Sequence, residues 1–183
     1  MSNIAEKFLA REQKWSIEDV FNNHYSHRGD FYDHMHYLAD YSAGKSVVEF
    51  GFNEGQSTVS FLMSASRVRT FDINTKLGVY VDMFTEACEL SGLDWKFEIG
   101  DSVVIFPEYC DILFIDTDHN GDQIYRELIT QHEVVNDGGV IIMHDTQTFP
   151  DMWRGINTFL NEKDWEITNH RKTSNGLTTL SRK

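Results

Sequence analysis

The sequence predicts an α/β fold on a mostly parallel sheet that closes in an antiparallel pair, and three observations predict it. Beyond Gly44, short β-branched or aromatic runs alternate with longer amphipathic segments, the rhythm of strand and helix units that lie side by side in a sheet. One such run, Ser46-Val47-Val48-Glu49-Phe50, breaks at once into the glycine-bearing turn Gly51-Phe52-Asn53-Glu54-Gly55 before a helix start. Two final strand-like runs are joined by Thr173-Ser174-Asn175-Gly176, a hairpin signal with no helix between them.

Residues 3–41 carry apolar positions at helical spacing (Ile4, Phe8, Leu9; Ile17, Val20, Phe21; Met35, Leu38, Ala39) and are expected to form two or three short helices. Strands are expected at 46–50, 68–73, 95–99, 112–116 and 140–144, with helices over about 57–64, 77–91, 122–135 and 151–162. Runs 165–170 and 177–181 supply the antiparallel pair. Only Pro107 and Pro150 punctuate the chain, and no repeat or linker divides it, so one domain is expected.

Sixteen Lys and Arg against 29 Asp and Glu give a formal charge of −13, which argues against a surface that tracks the phosphates of DNA or RNA. A neutral or cationic small molecule suits such a chain better. With 183 residues, 40% of them hydrophobic and 13% aromatic, there is material for a sizeable core. Cys88 and Cys110 have neither the density of a disulfide scaffold nor metal-binding spacing, so a reducing compartment is expected. With no leader-like opening and no run long enough to cross a bilayer, the expectation is a soluble, cytoplasmic protein with no membrane partner.

The turn after the first strand suits three ligands: a triphosphate, a dinucleotide or a sulfonium nucleoside. Gly44-Lys45-Ser46 ends like a phosphate loop, but Ala39 stands where its first glycine belongs and a strand follows, not a helix. A dinucleotide fingerprint needs glycine at Asn53 and Gln56, which demotes NAD. The pattern that remains, Glu49-x-Gly51-x-Asn53-x-Gly55, resembles the acid-x-Gly-x-Gly-x-Gly motif of class I S-adenosylmethionine-dependent methyltransferases. Asn replaces the middle glycine and tolerates the same left-handed backbone. An ordinary βα turn, whose glycines merely relieve strain, explains this motif alone about as well.

That resemblance covers about residues 45–183, leaving the first 44 unassigned, and implies a Rossmann-like, seven-stranded sheet with a C-terminal antiparallel hairpin; residues 1–44 are expected to form a helical segment that caps the site. It implies S-adenosylmethionine as cofactor, with Glu49 near its methionine end and Gly51, Phe52, Asn53, Gly55 and Ser57 supplying the close approach. Asp72, ending the second strand about 20 residues on and followed by Ile73, is the candidate ribose ligand. Asp101 and Ser102 match the family's adenine-edge segment, although a plain helix N-cap accounts for Asp101 almost as well.

A second cluster closes the strand Ile112-Leu113-Phe114-Ile115-Asp116, which runs on into Thr117-Asp118-His119, and the next one, Val140-Ile141-Ile142-Met143-His144-Asp145. If the two strands are neighbours, Asp116, His144 and Asp145 converge at the sheet edge where α/β ligands bind, a donor set for a hard divalent cation. These segments resemble the metal-dependent O-methyltransferases that act on catechols, macrolide sugars and cephalosporin-type substrates. The resemblance implies Asp116 and Asp145 as metal ligands, Asp116 also beside the cofactor, and His119 as the base. Where several relatives carry Glu, this chain has His144, and where the catechol enzymes carry Asn it has Thr146, so Mg²⁺ or another divalent cation is expected. A helix-capping role for His119 and a solvated turn for Asp118 are the bland alternatives.

The implied activity is metal-assisted methyl transfer from S-adenosylmethionine to a hydroxyl of a small-molecule acceptor, sugar- or phenol-like, with the N-terminal helices or a second copy in a homo-oligomer completing the pocket. Rival readings are metal-free methylation of nitrogen or of a protein, cofactor binding without turnover, and an NAD-dependent oxidoreductase. The aromatic segment from His24 to Tyr37 reads mainly as amphipathic helices; within it His34 and Tyr37 are minor candidates for substrate contact. Trp153 and Arg154 are candidates for the acceptor pocket, with core packing the commoner use of such a Trp.

Overall fold

A computed structural model describes residues 4–29 and 31–183; Asp30, inside the aromatic segment, and residues 1–3 lie outside the described residues. Three short helices, α1 (Ile4–Ala10), α2 (Ile17–His27) and α3 (Tyr32–Tyr41), precede the first strand, β1 (Ser46–Phe50). Then follow α4 (Gln56–Leu62), β2 (Arg67–Asp72), α5 (Gly78–Ser91), β3 (Trp95–Ile99), β4 (Cys110–Ile115), α6 (Gly121–Gln131), β5 (Val135–His144), α7 (Met152–Glu162), β6 (Trp165–Arg171) and β7 (Leu177–Arg182).

The seven strands lie in the order β3-β2-β1-β4-β5-β7-β6. The first five are parallel and β7 runs antiparallel between β5 and β6, the expected fold class. Alternation along each strand sorts side chains between two apolar layers. Val47, Ile112, Phe114 and Ile142 face α1 to α5, while Val48, Phe50, Leu113, Ile115 and Ile141 face α6 and α7. Ile4, Phe8, Ile17, Val20 and Phe21 of the N-terminal helices belong to the first of these layers. A capping box fixes the start of α2, with the Asp19 N–H donating to Ser16 Oγ and the Ser16 N–H to Asp19 Oδ2.

Two boundaries differ from expectation for one reason. The amphipathic pattern of α6 runs on through His132, Glu133 and Val134, but these form a single 3₁₀ turn and the next strand starts at Val135 rather than Val140. Gly138 and Gly139, which read as a break, lie inside β5, where Gly139 packs against the Asp111 carbonyl and the β4–β5 register shifts. The cysteines are free and buried, and no helix among the described residues is long and apolar enough to cross a membrane.

Strand order reverses between β1 and β4, and ligands of open α/β sheets bind at the carboxyl edge of such a switch point. Phe50 pairs with Ile115 and Ile115 with Met143, so the segments after β1, β4 and β5 emerge side by side. Every candidate ligand named from the sequence lies on or near this edge.

Candidate functional site

The turn after β1 is shaped by what it touches. Gly51 (φ 95°) passes so close to the next loop that a Cβ there would lie 1.9 Å from the Asp116 carbonyl oxygen. Asn53 takes a left-handed φ of 46°, as its replacement of a glycine requires. The Asp72 carboxylate accepts the N–H groups of Phe52 (2.7 Å), Asn53 (3.2 Å) and Asn74 (2.7 Å), so it shapes the turn from the neighbouring strand. Glu49 lies beneath, fully buried, accepting from Ser57 Oγ (2.5 Å), Thr58 Oγ1 (2.6 Å) and Thr70 Oγ1 (2.9 Å). Burial pushes its carboxyl up to about 7 despite those donors. Glu49 therefore locks the first turn of α4 to β1 and β2.

Two cavities open along the sheet edge. One, of about 450 Å³, is lined by Gly51, Asp72, Ile73, Gly100, Asp101, Ser102 and Gln123, among others. The other, of about 620 Å³, runs beneath α2 and is lined by His24, His27, Phe31, Phe52, Asn53, Gln56, Ser57, His119, His144, Asp145 and Asn175, among others. Asp116 and Thr117 border both. Asp101 does not cap a helix: none follows, and its carboxylate accepts the Val103 N–H at 2.9 Å within a turn.

At that shared wall the structure brings together Asp116, His119, His144 and Asp145. One ligand atom from each of Asp116, His144 and Asp145 lies within 4.8 Å of the others. His144 Nδ1 is 3.4 Å from both Asp116 Oδ2 and Asp145 Oδ1, while His119 Nε2 is 2.7 Å from Asp145 Oδ2 and 3.6 Å from Asp116 Oδ1. His144 Nε2 donates to the Ser174 carbonyl at 2.8 Å, which in the neutral ring leaves Nδ1 a lone pair facing two carboxylates. Such an arrangement needs a positive charge at its centre.

A proton can supply that charge: against the effect of burial, Asp116 and Asp145 raise His144 to about 10. The same two carboxylates raise His119 to about 9, and the histidines hold Asp145 well below the usual carboxylate range in spite of burial. A divalent cation fits as well. His144 Nδ1 and Asp145 Oδ1 are buried without a hydrogen-bond partner among the described residues. Their 3.4 Å spacing approaches the roughly 3 Å between adjacent ligands of a cation with bonds near 2.1 Å.

Other side chains sit apart from the cluster. Thr146 is buried and pairs with Thr178 Oγ1 at 2.8 Å. His34 is buried behind the cavity, with Nε2 donating to the Ser174 carbonyl at 3.2 Å, and Tyr37 accepts from Asn169 Nδ2 at 3.3 Å. Arg154 bridges Asp151 and Asp122, and Trp153 Nε1 donates to the Thr146 carbonyl at 2.7 Å; neither side chain lines the large cavity. Asp118 is exposed and accepts from Asn120 Nδ2 at 2.6 Å.

Three contributors escaped the sequence reading. Phe149 stacks on His119 with centroids 4.3 Å apart and rings 17° from parallel. The hairpin turn supplies the Ser174 carbonyl and the Asn175 side of the large cavity, held there by the Gln147 and Thr148 N–H groups donating to the Asn175 carbonyl. His24 lines the same cavity, 2% exposed, its Nε2 without a partner among the described residues. Its place on the apolar stripe Ile17-Val20-Phe21-His24 of α2 was a usable signal.

Burial, helped by His27, lowers His24 to about 3, so it is a neutral ring, and an unpaired buried polar group of this kind costs about 1–3 kcal/mol. His24→Leu is therefore expected to stabilise the fold by about 1–2 kcal/mol, raising the Tm by roughly 2–8 °C in a thermal melt. A Tm that falls would show that the ring is satisfied in the folded chain.

The model of a family described as a methyltransferase domain matches residues 48–146. No curated protein matches the sequence. Among solved structures, the SAH-bound methyltransferase PaMTH1 of Podospora anserina superposes with a TM-score of 0.65 at 16% identity, over 98% of this chain and 95% of that one. A ribosomal protein methylase of Lactobacillus delbrueckii gives 0.61 at 13%, over 81% and 76%. A tRNA methyltransferase of M. jannaschii gives 0.62 at 13%, over 84% of this chain and 49% of that one. At such identities the likeness is one of fold.

Proposed function

We propose, from the premise that this chain belongs to the methyltransferase-domain family, that it moves a methyl group from S-adenosylmethionine to a hydroxyl of a small, sugar- or phenol-like molecule. The observation that carries this reading is the meeting of two cavities at Asp116, with acids suited to a nucleoside on one side and a cation-ready cluster on the other. In the smaller cavity Asp72 takes the ribose hydroxyls through the acceptor capacity left beside its three backbone donors, and Asp101 faces the base. The larger cavity takes the methionine end of the donor against Phe52, Asn53 and Ser57, and the acceptor beside His119, His144 and Asp145. A surface charge of −13 favours a small acceptor over a nucleic acid.

The transfer breaks the sulfonium C–S bond and forms a C–O bond, leaving S-adenosylhomocysteine, and the hydroxyl proton passes to His119, whose ring would be neutral and ready to accept it once a divalent cation rather than a proton balances Asp116 and Asp145. A divalent cation held by Asp116, His144 and Asp145 would lower the acceptor's pKa and orient its oxygen. His119 reaches the same point from the loop that carries Asp116, three residues on, with Phe149 stacked on it to fix the ring plane. Bringing acceptor oxygen and donor methyl together where the two cavities meet, beside Asp116 and Thr117, supplies the in-line orientation such a displacement needs.

The test is a transfer assay with labelled S-adenosylmethionine and a panel of sugars and phenols, alongside calorimetric titration of S-adenosylhomocysteine. Stripping divalent cations with EDTA is expected to lower transfer by about a hundredfold, with recovery on adding Mn²⁺ or Mg²⁺. His119→Ala is expected to lower it by about 10²–10⁴-fold with S-adenosylhomocysteine binding kept. Transfer indifferent to EDTA would favour metal-free methylation, and binding of NADH in place of S-adenosylhomocysteine would overturn the reading.

A further inference from the structure

Helix α6 carries Gln123, Glu127 and Gln131 at intervals of four, a polar stripe where an amphipathic helix normally meets water. Here it is turned inward: Glu127 is 0% and Gln131 1% exposed. Glu127 Oε1 accepts from Ser102 Oγ (2.5 Å), Thr117 Oγ1 (2.7 Å) and Gln123 Nε2 (3.0 Å), and Oε2 accepts from Thr117 Oγ1 at 2.9 Å. Gln131 Nε2 donates to the carbonyls of Ser102 (2.6 Å) and Ile105 (2.9 Å). A carboxylate with no oppositely charged partner among the described residues has been taken fully out of water and given a donor from each of two loops, a costly arrangement for mere packing.

The two loops are the ones that line the nucleoside cavity, through Ser102 on one side and Thr117 on the other. The segment from Gly100 to Tyr109 that carries Ser102 forms no helix, and Val104, Phe106 and Tyr109 on it are 65%, 91% and 69% exposed. Ile105 packs against the core and Gln131 holds the Ser102 and Ile105 carbonyls, but the link between the cavity-lining hydroxyls of this segment and of the end of β4 runs through the carboxylate on α6.

We propose that Glu127 is a positioning residue for the purine end of the nucleoside cavity, clamping the loops after β3 and β4 at the separation a flat adenine base fills. This rests on the methyl-donor reading of that cavity. A ligand bound there touches Asp101, Ser102 and Thr117, and Glu127 acts only through the last two.

The experiment is calorimetric titration of the full chain, well below its melting temperature, with S-adenosylhomocysteine and separately with adenosine. Glu127→Ala is expected to weaken both probes by about tenfold or more, since it leaves the Ser102 and Thr117 hydroxyls without their acceptor. Glu127→Gln, which keeps one acceptor oxygen within reach of both the Ser102 and Thr117 hydroxyls, is expected to recover most of that loss. Equal losses for both probes locate the effect at the nucleoside. A folded Glu127→Ala chain that binds both within about twofold of wild type overturns the proposal. Should Glu127→Ala fail to fold, Ser102→Ala removes the tie to one loop alone, with an expected loss of about threefold; unchanged binding there overturns it equally. A wild-type chain that binds neither probe overturns the donor reading, and the clamp with it.

Discussion

Asp145→Asn is expected to cut methyl transfer by about a thousandfold while S-adenosylhomocysteine still binds within about twofold of wild type. Asp145 sits at φ 63°, a left-handed conformation that Asn accepts, so the substitution removes charge without moving the backbone. Among the described residues, the lost charge is one of two carboxylates that face both His119 and His144. A neutral amide oxygen holds a divalent cation far less well, and it no longer orients His119 by ion pairing at 2.7 Å. Asp145 borders the larger cavity and not the smaller, so the nucleoside side stays intact. Single-turnover transfer and calorimetry on one preparation check both halves. Transfer within tenfold of wild type would mean that the cluster is structural and the chemistry metal-free.

Gly51→Ala is expected to destabilise the fold by about 4 kcal/mol, lowering the Tm by roughly 8–16 °C, and to abolish S-adenosylhomocysteine binding. The new methyl would lie 1.9 Å from the Asp116 carbonyl oxygen and 2.7 Å from its carbon, and neither backbone is free to yield. The Gly51 N–H is bonded to the Phe71 carbonyl at 2.9 Å and the Asp116 N–H to the Phe50 carbonyl at 2.8 Å. Gly44→Ala is the control, because Gly44 has φ 71° with nothing within 4 Å of an added Cβ. It carries the conformational cost without the collision, about 1 kcal/mol. Thermal unfolding of the two variants separates the effects, and equal Tm values would sink the argument.

The residues legible in the sequence were those whose role follows from position in a repeating pattern. Strand ends at Glu49, Asp72, Asp116 and His144 follow from apolar runs that stop, and a parallel sheet gathers such ends on one edge. The inward turn of α6 was not legible, because Gln123, Glu127 and Gln131 have the spacing of an ordinary wet helix face and only the helix-free Gly100–Tyr109 segment beside them makes that face interior. Nor was the Ser174 carbonyl, since a main-chain atom leaves no trace in side-chain chemistry. The turn from Thr173 to Gly176 was plain from its composition, but its contact with His34 and His144 depends on chain folded back from more than a hundred residues away in the case of His34. His24 is absorbed into an amphipathic-helix pattern when the segment is read as a whole; as a polar residue on an apolar stripe, it stands out.

Because Asp116 and Thr117 belong to both cavities, the proposed function predicts that occupancy of one is thermodynamically linked to occupancy of the other. Whatever factor separates the affinity for a divalent cation with and without S-adenosylhomocysteine, the same factor must separate the affinity for S-adenosylhomocysteine with and without the cation. A shared wall thus gives the two half-sites a means of reporting to each other, and the size of that reciprocal coupling measures how far Asp116 yields when either side fills.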